Sequence, residues 1–170
     1  MKQTLKYIYE KLFEQQKFAE NKHSILITLA TAIAVFSVAY LENVNTLITL
    51  LSACSILFSL LSLSFSFIAL FAKKSTLKKS KKIIEYSNLM FYKDIVKFDE
   101  NEYLKALKNN YHFPKNYTFD NMDKDLSRQV IATAKSVEIK FQFFNFALTF
   151  LFASIICEVF VILLMSYKIW

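Results

Sequence analysis

Glycine is absent from this chain of 170 residues, and proline occurs once, at Pro114. Loops that cradle phosphate, and the turns that bind dinucleotides, need glycine where the backbone approaches the ligand or takes a positive φ. No such loop can be written here. The GxxxG helix-contact motif and the usual glycine stop at a helix end are excluded with them. Little remains to break a helix once it has started. Arginine occurs once, at Arg128, so the interleaved arginines of a nucleic-acid surface are missing and no nucleic-acid partner is expected. Cys54, Cys157, His23 and His112 form no zinc-type cluster, so neither a metal nor a cofactor is expected. No nucleophile with a base and an orienting group, and no hydrolase-type pair of carboxylates, can be pointed to, so the chain reads as non-enzymatic.

What is present is apolar sequence in long runs, from Ser24 to Leu41, Thr46 to Ala72 and Phe143 to Tyr167. The first two carry no charge and the third carries only Glu158. A hydrocarbon core about 30 Å thick needs roughly 20 helical residues to cross it, so each run is a candidate span. None alternates with period two, which favours helices over a barrel. The chain is therefore expected to be an all-α membrane protein, one helical domain over residues 1–170 with transmembrane segments 24–41, 46–72 and 143–167. A charged segment precedes the first run and no small-residue cleavage site follows it, so that span is expected to be retained.

Charge then assigns sides. Residues 1 to 23 hold five lysines against three glutamates, and Lys73, Lys74, Lys78, Lys79, Lys81 and Lys82 crowd the end of the second run. The turn Leu41-Glu42-Asn43-Val44-Asn45 holds one acid and no base. The positive-inside rule places the N-terminus and residues 73–140 in the cytoplasm, and the turn and C-terminus outside. The lysine cluster reads as this orientation signal in contact with anionic head groups, with a nucleic-acid site as the alternative.

Along the chain, Leu5, Ile8, Leu12 and Ala19 form the apolar stripe of an amphipathic helix that leads into the first span, predicting one helix from about residue 3 to 41. A seam at Leu77, Ile84, Phe91, Ile95 and Phe98 predicts that the second helix continues past the lysines. A short helix and a turn are expected between Asp99 and Asn116. Asp120 or Asn121 can cap a third long helix of about 45 residues, whose seam runs through Val130, Ala134, Val137, Phe141, Phe144, Leu148, Leu151 and Ile155. Long cytosolic extensions and a homo-oligomeric bundle follow as expectations.

Candidate functional residues are few. Ser52, Ser55, Ser59, Ser62 and Ser66 recur three and four apart on one face of the second span. Either they let helices approach closely, or they form a mildly polar wall of a pore when copies assemble. Ala30, Ala34 and Ser37 offer matching small residues in the first span. Glu158 either bonds a partner near the outer interface or lines an ion path. Cys54 and Cys157 sit at comparable depths, either as free thiols or as a disulfide. At the inner ends of the helices Glu20, Lys22, Asp125, Arg128, Gln129 and Lys140 cluster by level, either as ion pairs or as a site for a signal or partner, with Arg128 the planar donor suited to phosphate.

Two segments carry a family resemblance. Ala19-Glu20-Asn21-Lys22-His23-Ser24-Ile25-Leu26, entering the first span, and Asp125-Leu126-Ser127-Arg128-Gln129 through Lys140-Phe141 resemble the start and the last helix of the transmembrane effector domain of Pycsar antiphage systems. Asn88-Leu89 fits the same pattern. The resemblance implies a dormant protein of the bacterial inner membrane that assembles on a cyclic-nucleotide signal, damages the membrane and halts the infected cell. Family members often carry a separate cyclic-nucleotide-binding domain, and none is expected within these 170 residues. A nucleotide second messenger would then act on the helices directly or through a sensor protein. Two other classes remain open: a small ion channel or transporter subunit, and a non-conducting scaffold for a cytosolic partner.

Overall fold

The computed structural model of the chain describes residues 1–42, 45–71, 88–114 and 116–167. Every regular element among them is helical: α1 (Lys2–Val38), α2 (Thr46–Phe71), α3 (Tyr92–Ile95), α4 (Glu100–Asn110) and α5 (Asn121–Tyr167). They fall into two compact units, Met1–Ala19 with Ala72–Lys140, and Glu20–Phe71 with Phe141–Trp170. Both α1 and α5 contribute to each unit. With neither glycine nor proline in their spans, α1 runs for 37 residues and α5 for 47 without interruption.

The first unit is built on conventional amphipathic packing. Leu5, Ile8, Leu12 and Ala19 of α1 are buried as their spacing predicts, and so are Val130, Ala134 and Val137 of α5. Tyr103, Leu104 and Leu107 of α4 join this core, with Leu89, Ile95 and Phe98 before them. Asp99 caps α4 reciprocally with Glu102, each side chain accepting the other's backbone N–H at 2.8 and 3.1 Å. The other end of α4 has no glycine for its left-handed stop. His112 takes that role at φ 52°, while the Phe113 N–H returns to the Lys108 carbonyl at 3.1 Å. Asp120 caps α5, its Oδ1 accepting the Asp123 N–H at 2.8 Å.

The expected extension of the second helix fails where it can be seen. Leu77, Ile84 and the lysine cluster lie outside the described residues, but residues 88–91 are not helical. The Asn88 side chain accepts the Met90 N–H at 2.9 Å and its carbonyl accepts the Phe91 N–H at 3.0 Å, closing a turn in place of a helix. Phe91 is exposed, whereas Ile95 and Phe98 are buried through the separate helix α3 and the turn after it.

The second unit is a bundle of three apolar helices. Leu26 and Ala30 of α1 pack with Ala147 and Leu151 of α5, against Leu63 and Phe65 of α2. Further along both α1 and α5, Ser37 meets Glu158 and Ser55. The interval from Leu26 to Ser37 equals that from Ala147 to Glu158, so α1 and α5 run parallel, and α2 runs against both. The turn after α1 uses successive i to i+3 bonds, and Asn45 caps α2 by accepting the Leu47 N–H at 3.1 Å.

Candidate functional site

Polarity is inverted in the second unit. The buried face of α2 is Ile48, Ser52, Ser55, Ser59, Ser62, Ser66 and Ala69, while Leu50, Leu57, Leu60 and Ile68 are each more than half exposed. All five serines are 0% exposed. In water this distribution would cost the hydrophobic term twice, by leaving leucine in solvent and hydroxyls inside. In lipid it is the expected one, because apolar tails solvate leucine as well as another helix does, and small residues let backbones close up. Within each apolar window only 22%, 28% and 22% of residues are buried, so most of this apolar surface needs a surrounding apolar solvent.

The repeat of four and three along α2 holds its serines on one seam, and α5 presents Ala147, Leu151, Ser154, Glu158 and Val161 to the interior. Ile155, expected on that seam, is exposed. The expectation followed hydrophobicity, whereas helix contacts inside lipid select small and polar side chains.

Ser154 and Ser37 draw the serines into one network. Ser154 Oγ lies 2.9 Å from Ser55 Oγ and 2.8 Å from Ser59 Oγ, and donates to the Ser55 carbonyl at 2.9 Å. Ser37 Oγ lies 2.9 Å from Ser55 Oγ, 2.8 Å from the Ile33 carbonyl, and is hydrogen-bonded to Glu158 Oε1. Glu158 is 6% exposed. Its Oε2, and the hydroxyls of Ser52, Ser62 and Ser66, have no hydrogen-bond partner among the described residues. The network can therefore still bond water or another polar group along nearly the whole length of α2. Ser64, on the lipid side of the same helix, instead returns its hydroxyl to the Leu60 carbonyl at 2.8 Å. Cys54 and Cys157 are free thiols, both half-buried.

The second expected group of residues is divided between the units. Glu20 and Lys22 belong to the second unit, where the Lys22 ammonium stands 5.0 Å from the Phe144 ring centroid and 5.7 Å from that of Phe141. Asp125, Arg128, Gln129 and Lys140 belong to the first, with Lys140 buried and Gln129 exposed. Arg128 Nε donates to Glu100 Oε2 at 2.6 Å, and its other arm is 3.6 Å from Asp125. Two carboxylates thus already face its guanidinium, and Glu100 is a partner that sequence spacing did not indicate. Further along α5, burial lifts the Glu138 carboxyl above the usual range, against the pull of Lys93 and Lys97.

The model of the Pycsar effector protein domain matches residues 4–167. The chain belongs to that family. Membership agrees with the inverted, lipid-facing bundle and makes the chain a membrane effector in antiphage defence. No curated protein and no solved structure matches it.

Proposed function

We infer that this effector assembles in the bacterial inner membrane on an infection signal and impairs its barrier, with the hydroxyl seam of α2 as the surface that turns toward water. The observation that carries this reading is the buried seam itself. Ser52, Ser62, Ser66 and one oxygen of Glu158 lie in a lipid-embedded interior without partners among the described residues, and each such group costs about 1–3 kcal/mol relative to a state that hydrates it. Assembly of several copies around a water-filled axis supplies that state, with Ser52, Ser55, Ser59, Ser62, Ser66 and Glu158 lining it. The lysine excess before the first span and after the second supports a cytoplasmic N-terminus and an external C-terminus.

The polar residues of the inner ends supply the signal side. Within the first unit, Asp125, Arg128, Gln129 and Lys140 are the candidate residues for a nucleotide second messenger or a sensor protein, and Glu20 and Lys22 are separate candidates in the second unit. A phosphate would compete with Glu100 and Asp125 for the Arg128 guanidinium. Glu158 favours one second reading, a small channel or transporter subunit that conducts without infection.

Cross-linking in intact cells tests assembly. Membranes from infected cells should yield a ladder of cross-linked copies where uninfected cells yield the single chain. A single chain under both conditions contradicts the proposal.

A further inference from the structure

Ser37 Oγ stands within hydrogen-bonding distance of three oxygens: the Ile33 carbonyl, Ser55 Oγ and Glu158 Oε1. It has one proton to give. A carbonyl and an ionised carboxylate only accept, so with Glu158 ionised Ser37 can donate fully to one of them or share its proton weakly between the two. Ser55 relieves neither, because its own single proton goes to Ser37 or to Ser154. A proton on Glu158 resolves the conflict: the carboxyl donates to Ser37, and Ser37 donates to Ile33.

Burial points the same way. Glu158 is 6% exposed in a bundle whose outer face is apolar, and its Oε2 has no partner among the described residues. Among the described residues the groups placed around it are uncharged: Ser37 of α1, bonded to it directly, Ser55 of α2, bonded to Ser37, and Cys157 with Ser154 on α5 itself. An isolated carboxylate in such surroundings neutralises itself before it stays charged.

We propose that Glu158 is a proton-binding site, held as the neutral carboxylic acid in this closed bundle with Ser37 as its acceptor. Release transfers the proton to a water molecule and leaves a carboxylate that needs hydration. The proton-bound acid therefore latches the seam closed, and the ionised form belongs to a bundle that water has entered. The latch role rests on the proposed function; the proton site does not.

Infrared difference spectroscopy on the full chain in lipid vesicles at neutral pH tests the site. Wild type minus E158Q should show the carbonyl stretch of a protonated carboxylic acid, shifted by deuterium exchange and displaced in S37A. The amide of E158Q keeps a donor toward Ser37, so the bundle is retained. Should E158Q fail to insert, E138Q labelled with ¹³C at its glutamate carboxyls, which removes the other carboxyl that burial raises, should keep one protonated carbonyl band among ionised ones. A spectrum containing only ionised carboxylate bands overturns the proposal. No phage and no pore are involved, so that failure would leave the defence reading standing, and failed assembly in infected cells would leave the proton site standing.

Discussion

Asp123 is fully buried in the first unit, where its Oδ2 takes the Tyr117 phenol at 2.7 Å and its Oδ1 has no partner among the described residues. That bond to Asp123 is the main cause that pushes the Tyr117 hydroxyl up to about 12. Tyr117→Phe should loosen the start of α5 by about 1–3 kcal/mol, read as faster amide exchange over residues 121–126. At the end of α4, His112 occupies a left-handed position in a chain that has no glycine to offer. His112→Gly should raise the thermal midpoint of the first unit by an amount worth about 0.5–1 kcal/mol, and His112→Val should lower it. Two carboxylates give opposite pH signatures. Asp94 is held below its ordinary value mainly by Lys97, so its contribution is present above that value and is lost as acid protonates it. Glu138 is raised by burial, so its contribution is present below the ordinary carboxylate range and is lost as pH climbs through the raised value. Glu138→Gln should therefore stabilise the first unit at neutral pH and leave it unchanged in acid. The spacing of Asp94 and Lys97 shows their pairing in the sequence, whereas Tyr117 with Asp123 and Arg128 with Glu100 depend on how the segments between helices turn.

Among the elements, α2 shows both the reach and the limit of pattern reading. Its five serines recur at helical spacing, so their common face is legible in the sequence, and the structure buries that face throughout. Their partners are less legible. Ser154 sits four residues before Glu158 on the same side of α5, yet a hydrophobic seam drawn for a water-soluble helix passes through Ile155 instead. Such a seam assumes that burial follows apolarity, and lipid removes that premise. Likewise, the break at Asn88 arises from a side chain bonding its own backbone, a competition that periodicity does not register. Ser154→Ala severs the links to Ser55 and Ser59 and should destabilise the bundle by about 0.6–1.7 kcal/mol in mixed micelles, while Ser64→Ala on the lipid face should change nothing measurable.

For the molecule as a whole, two kinds of interior occur in one chain: an apolar core in the first unit, and in the second a row of hydroxyls under a skin of leucine and phenylalanine. Membership of the Pycsar effector protein domain family supplies the setting of antiphage defence. The most direct test follows membrane potential with a fluorescent dye in cells carrying inducible copies of the chain, with and without phage. The account predicts polarised membranes in uninfected cells and depolarisation after infection. Membranes that stay polarised through infection, or that depolarise without it, contradict the account.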